Sequence, residues 1–163
     1  MGDEFSAPYE PIRLSDDEGG PITQYCESPT NGRLEWIMAV VKPCHLNEGS
    51  EITDEMIKFL EACDKNPMDT PSLIIHKSIG GKGDEFWNCF MKGRSFDDET
   101  FDNDVESTVY YAVKQLKDEK KDGEAKIKVR FVFKDDKVTR PYKLSYQVEL
   151  PSGDVIENDL PNV

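Results

Sequence analysis

The sequence has few of the residues and patterns that most catalytic and metal-binding functions require. It contains only two histidines, His45 and His76, and its four cysteines stand singly without a C-x-x-C pair. Structural zinc sites use paired spacing, so no metal is expected. The G-x-S-x-G and H-E-x-x-H patterns and a complete P-loop are also absent. These absences predict that the protein is not an enzyme and needs no cofactor.

The sequence also lacks any apolar run near the length of a membrane span, a signal peptide and an N-x-S/T acceptor. With its unpaired cysteines, this predicts free thiols and a location in the nucleus and cytoplasm. One alternative stays open at the amino terminus. Met1-Gly2, followed by Ser6, formally fits the myristoylation pattern, although the acids after Gly2 disfavour an anionic membrane.

Positive charge is scarce. The 163 residues carry 20 basic and 33 acidic side chains, which gives a net charge of −13 and a pI near 4.6. A nucleic-acid-binding protein normally presents a basic face to phosphates, so direct binding of nucleic acid is not expected, nor is binding to an anionic membrane. The negative charge favours basic protein partners. A simpler interpretation is that the acidic surface only keeps the protein soluble.

The clearest pattern in the chain is a long antiparallel hairpin between Lys126 and Leu150. Apolar residues occupy every second position from Ile127 to Phe133, and Lys126, Lys128 and Arg130 alternate with them. A strand with one buried face requires this period of two. Asp135 and Asp136 supply a turn, and Leu144 begins a second alternating run.

The flanking sequence predicts one domain of short strands with a single short helix. Leu34–Val41 reads as a buried strand, and Thr53 is a good N-cap for a helix that ends near Cys63. Residues 1–21 are predicted to be a flexible acidic tail, residues 22–156 a single domain, and residues 157–163 a second flexible tail.

The middle of the chain is harder to interpret. Ser72–Ile79 is a strand candidate, and its His76 is expected on the polar face because no second ligand is near it in sequence. Val105–Leu116 fits either a helix or a strand, and its β-rich composition favours a strand. Counted together, these segments predict a mainly β fold, an antiparallel immunoglobulin-like β-sandwich.

Three short pieces of the chain resemble the anti-silencing-function histone chaperones. Leu34-Glu35-Trp36 is similar to the strand that opens with these letters in that family, Ile52–Ile57 to its short acidic helix, and Val129–Gln147 to its later strand pair. The chain would be a divergent member, such as one from a large DNA virus. The resemblance implies a monomeric, non-enzymatic chaperone of the histone three–histone four dimer, with core histones as the basic partners.

The resemblance also implies a set of partner-binding residues, which are Asp54, Val129, Arg130, Arg140 and Tyr146. Val129 and Tyr146 have a second interpretation, because both lie on the apolar face of the hairpin and could be core residues. Other functions remain open: another protein-binding β-sandwich, such as an immune-evasion or signalling adaptor, or a small enzyme or lipid-carrying sandwich.

Overall fold

The computed structural model describes residues 10–163 and is built on one antiparallel sheet of six strands, with a separate two-stranded sheet beside it. The large sheet has the order β1-β2-β3-β6-β7-β8, and β4 pairs with β5. The strands are β1 (Ile12–Arg13), β2 (Ile22–Glu27), β3 (Leu34–Val41), β4 (Thr70–Leu73), β5 (Cys89–Lys92), β6 (Ala125–Val132), β7 (Lys143–Glu149) and β8 (Val155–Pro161).

Short helices fill the connections. They are α1 (Asp16–Gly19), α2 (Asp54–Glu61), α3 (Asp98–Phe101), a π-helical segment (Asp102–Ser107) and α4 (Thr108–Asp118), together with three 3-10 turns at Pro43–His45, Lys77–Ile79 and Phe86–Asn88. Thr53 caps α2 as predicted, since its Oγ1 accepts a hydrogen bond from the Met56 amide at 3.2 Å. Among residues 10–163, no helix combines the length and the apolar character needed to cross a membrane.

The predicted hairpin is confirmed and lies inside the large sheet. In β6, the side chains of Ala125, Ile127, Val129 and Phe131 are buried, and those between them point away from the core. Val129 pairs directly with Tyr146 of β7. The connection between the strands runs from 133 to 142, so it is longer than the tight turn that the two aspartates suggested.

The prediction of a strand at Val105–Leu116 is wrong, because this segment is helical. Four apolar side chains at intervals of four residues, Phe101, Val105, Val109 and Val113, are all buried, whereas Tyr111 is 70% exposed. Packing of this stripe against the sheet outweighs the β propensity of the valines. Helices therefore lie where the predicted sandwich would have another strand. The mainly β, antiparallel class is confirmed, and the immunoglobulin-like sandwich is not.

Both predicted tails are partly ordered elements of the domain. Residues 12–21 contain β1 and α1, and Ser15 caps α1 through a capping box with Glu18. At the other end, β8 pairs along the whole of β7. The buried Asn162 donates to the carbonyls of Met91 and Pro141. The domain therefore extends beyond 22–156 in both directions, while Gly2 and the predicted myristoylation pattern lie outside the described residues.

Cys26, Cys44, Cys63 and Cys89 form no disulfide with one another in the described residues. Burial raises the pKa of Cys89 to about 12 and that of Cys26 to about 11. Both therefore remain protonated near neutral pH and act as small apolar side chains.

Candidate metal centre

Two of the five predicted partner-binding residues are core residues. Val129 is fully buried and Tyr146 is 3% exposed, because both lie on the inner face of the sheet. The Tyr146 hydroxyl donates to Asp104 Oδ2 at 2.6 Å, which ties the π-helical segment to the sheet. Burial and this carboxylate raise the pKa of Tyr146. Neither side chain is accessible to a partner protein, so the expectation that Val129 and Tyr146 contact one is wrong.

The other three predicted residues differ in their surroundings. Arg140 forms a bidentate ion pair with the buried Asp69, and its guanidinium is therefore engaged within the chain. Asp54 is exposed at the first residue of α2, and Arg130 is exposed on the outer face of β6. The structure does not bring these residues together with Val129 and Tyr146 on one surface, and a binding role for Asp54 and Arg130 stays a prediction.

His76 lies in a tightly held loop that follows β4. The buried Asn88 donates through Nδ2 to the carbonyls of Ile75 and Lys82 at 2.9 and 3.0 Å, and its Oδ1 accepts from the Ile75 amide at 2.7 Å. A Cβ on Gly81 would stand 1.6 Å from the Ile75 carbonyl oxygen, so the close approach requires glycine. The loop is fixed at both ends, and His76 is fixed with it.

Two carboxylates from the π-helical segment lie close to the ring nitrogens of His76. Nε2 lies 3.1 Å from Asp102 Oδ1, and Nδ1 lies 3.7 Å from Glu106 Oε1. One ligand atom from each of the three residues falls within 4.8 Å of the others. Within residues 10–163, this is the one group of three His, Cys, Asp or Glu side chains with metal-ligand spacing. We call it the His76 cluster.

His76 Nε2 is buried and has no hydrogen-bond partner among the described residues, although a carboxylate oxygen lies 3.1 Å away. The two groups are therefore in contact without forming a hydrogen bond. Two ligands at about 2.1 Å from one cation, roughly at right angles, are separated by about 3 Å. The 3.1 Å separation of Nε2 and Oδ1 therefore fits two ligands of a common cation.

The surroundings of the cluster are acidic but structured. Burial raises the pKa of Asp102, and the charges of Asp98 and Glu106 add to this effect, while His76 and Lys92 oppose it. Ser78 Oγ donates to Glu106 Oε2 at 2.6 Å, which orients that carboxylate. A cation between the ligands would relieve the repulsion among the carboxylates.

Sequence reasoning missed this cluster. His76 was expected on a strand, but β4 ends at Leu73 and His76 directly precedes a 3-10 turn, Lys77–Ile79. The six acids between 97 and 106 do not form a calcium-binding loop of the EF-hand type, which needs a glycine at its sixth position and a terminal glutamate. The available signal was the interval of four between Asp102 and Glu106, which places two carboxylates near each other once the segment is helical.

No family model matches the chain, and no curated protein matches it. The chain does match solved structures. The chain is similar to NucA from Streptococcus agalactiae with magnesium ion bound, at 11% identity and a TM-score of 0.57, with 93% of this chain and 76% of that chain covered. It is also similar to the same protein with no metal bound, at 13% identity and a TM-score of 0.57, covering 96% and 73%.

At this identity the likeness establishes a shared fold. It also corrects one expectation from the sequence. The prediction that the chain is not an enzyme is contradicted, because the chain shares its fold with NucA, which has been solved with a magnesium ion bound. The missing sequence motifs belong to particular enzyme families, so their absence does not exclude enzymes in general.

Proposed function

We propose that the protein is a divalent-cation-dependent hydrolase of phosphate diesters, with the cation held by His76, Asp102 and Glu106. The observation that carries the proposal is the buried Nε2 of His76, which makes no hydrogen bond although two carboxylates lie beside it. A buried polar atom without a partner normally costs free energy, and an absent ligand is one of its ordinary explanations. The fold shared with NucA, which has been solved with a magnesium ion bound, supports the same conclusion.

The donor set fits a divalent cation, although magnesium is not the best match. One imidazole nitrogen and two carboxylate oxygens suit manganese, which accepts both ligand types. Magnesium prefers an all-oxygen shell that includes several waters. We therefore expect Mn²⁺ to bind more tightly than Mg²⁺ at the His76 cluster.

The protein side chains hold the ligands in place. Ser78 orients Glu106, Tyr146 fixes Asp104, and Asn88 fixes the loop of His76. When bound, the cation would act as a Lewis acid on a phosphate oxygen. Without a cation, the carboxylates would repel an anionic phosphate diester, so the surrounding charge makes substrate binding depend on metal.

Metal binding can be measured apart from activity. We expect Mn²⁺ to raise the melting temperature, because a ligand at 100 times its dissociation constant stabilises the folded state by about 2.7 kcal/mol. His76→Ala and Glu106→Gln should each weaken Mn²⁺ binding at least tenfold, since even loss of an outer-shell partner costs about 10–100-fold. Asp118→Asn, which removes an exposed carboxylate of α4, is the matched control and should leave the shift unchanged.

Hydrolysis needs its own assay. With Mn²⁺ present, the protein should cleave bis(4-nitrophenyl) phosphate, and Asp102→Asn should abolish this activity while Asp118→Asn retains it. A chain that binds Mn²⁺ through the His76 cluster but leaves this diester and a DNA oligonucleotide intact would disprove the hydrolase and keep the metal site. A melting temperature unaffected by Mn²⁺, Zn²⁺ and Mg²⁺ would disprove both the metal site and the hydrolase activity.

A further inference from the structure

A second feature lies apart from the His76 cluster. A half-open cavity of about 120 Å³ is enclosed by α2, β5, the β2–β3 connection and the loop between β6 and β7. We call it the phenylalanine slot, because five of its lining residues are Phe59, Phe86, Phe90, Phe131 and Phe133. Its volume is close to that of the roughly 150 Å³ apolar cavity that accepts benzene, so it suits one aromatic ring.

The polar groups at the slot are already engaged within the chain. Arg33 donates through Nη1 to the carbonyls of Asp135 and Val138, and its guanidinium lies 3.9 Å above the Phe133 ring. Asp64 accepts from the amide and the hydroxyl of Thr139. An occupant of the slot therefore gains mainly from apolar contact.

An acidic depression adjoins the slot and shares Phe59 and Phe86 with it. Four carboxylates line the depression, and no basic residue is among its described lining residues; they are Asp54, Glu55, Asp84 and Glu85. Burial raises the pKa of Glu85, and the neighbouring charge of Asp84 raises it further. A cationic group placed here would be attracted by all four carboxylates.

We propose that the slot and the depression together bind a basic peptide segment, which inserts one aromatic side chain beside Phe59 and places its lysines or arginines on the four carboxylates. The 52% exposure of Phe59, which is large for an aromatic side chain, is then the uncovered edge of this site. The proposal is independent of metal binding at the His76 cluster. The net charge of −13 attracts basic partners to the whole protein. At this site the inserted aromatic side chain would add the affinity and specificity that charge attraction does not provide.

The test uses a fluorescent peptide with two Lys-Arg pairs around a central Phe, and the same peptide with Ala at the centre. By fluorescence anisotropy at about 150 mM salt, the Phe peptide should bind at least tenfold more tightly, as expected for an aromatic side chain that enters a pocket. Phe59→Ala should remove this preference. The double variant Asp84→Asn, Glu85→Gln should weaken both peptides and reduce their salt dependence.

Tyr111→Ala, which removes an exposed aromatic side chain from α4, is the matched control and should bind like the unmodified protein. Equal affinities for the two peptides would overturn the proposal, as would a preference that survives Phe59→Ala. The proposal would also be overturned if the protein self-associates and Phe59→Ala abolishes the self-association, because the slot would then bind a second copy of the chain. If Phe59→Ala fails to melt cooperatively, the two-peptide comparison and the carboxylate variant still decide the question.

Discussion

Replacing Arg140 by alanine is expected to lower the free energy of unfolding by about 3–5 kcal/mol, the usual effect of removing one partner of a buried ion pair. Arg140 Nε and Nη2 donate to the two carboxylate oxygens of Asp69 at 2.5 and 2.9 Å, and the Asp69 side chain is 1% exposed. Without the guanidinium, a charged carboxylate would remain buried with only the Asn66 amide as its donor. Urea unfolding at neutral pH measures the loss.

Arg130→Ala is the control for this prediction. Arg130 is exposed on β6, so its replacement should change the free energy of unfolding by no more than about 0.5 kcal/mol. A similar small change for Arg140→Ala would show that the ion pair contributes little to stability. The two arginines were predicted together as histone contacts, and the structure assigns them to different environments.

The same ion pair gives a pH dependence. Burial by itself raises the pKa of Asp69, but the hydrogen bonds from Arg140 and the Asn66 amide outweigh it, and the pKa is lowered overall. A carboxyl with a lowered pKa in the folded state stabilises that state above the unfolded value of about 3.9, and this contribution is lost as the pH falls through the folded value. The difference between Arg140→Ala and the unmodified protein should therefore shrink toward pH 3. An undiminished difference at pH 3 would contradict this account.

Asn88→Ala is expected to cost about 3 kcal/mol or more. Its amide makes three hydrogen bonds to the backbone at Ile75 and Lys82, all in or near the core, and each buried group left without a partner costs about 1–3 kcal/mol. Because these bonds fix both ends of the His76 loop, Mn²⁺ binding should weaken too. Thermal melting with and without Mn²⁺ measures both effects in one experiment.

Asn31→Ala is a matched control, because Asn31 is exposed and its Nδ2 donates to the Asp136 carbonyl. It should cost less than about 1 kcal/mol and leave the Mn²⁺ shift intact. If Asn88→Ala lost stability but kept the full Mn²⁺ shift, Asn88 would be a purely structural residue. If neither changed, the three hydrogen bonds would not hold the loop.

Binding to core histones stays a prediction. Its remaining support is the net charge and the exposed Asp54 and Arg130. A pull-down against purified core histones at rising salt tests it directly. Retention that disappears at moderate salt and is unaffected by Asp54→Ala would indicate unspecific attraction.

The parts of the fold that could be predicted are those whose pattern is local. Alternation over 126–150 gave the hairpin, and Thr53 gave the start of α2. Alternation also favoured burial of Val129 and Tyr146, and it was the family resemblance that suggested an exposed role. Val105–Leu116 was missed because a valine-rich stripe satisfies either period until the packing partner is known.

The His76 cluster could not be predicted from neighbouring residues. His76 and Asp102 belong to different elements, and the fold alone brings them together. The other two ligands lie 26 and 30 positions after His76, so its neighbours in sequence do not indicate them. The slot was equally hidden, since Phe59, Phe90 and Phe133 come from three separate segments.

The pairing of β3 with β6 has a consequence for how the protein folds and diverges. These strands are neighbours in the sheet, with Val41 opposite Ala125, yet residues 42–124 separate them in the chain. The β6–β7–β8 meander can form locally, whereas joining β3 to it must close this long loop, a slow step in folding. All three residues of the His76 cluster lie within the loop. None of the three belongs to a strand of the large sheet, so their substitution can change or remove the chemistry while the pairing of the sheet persists.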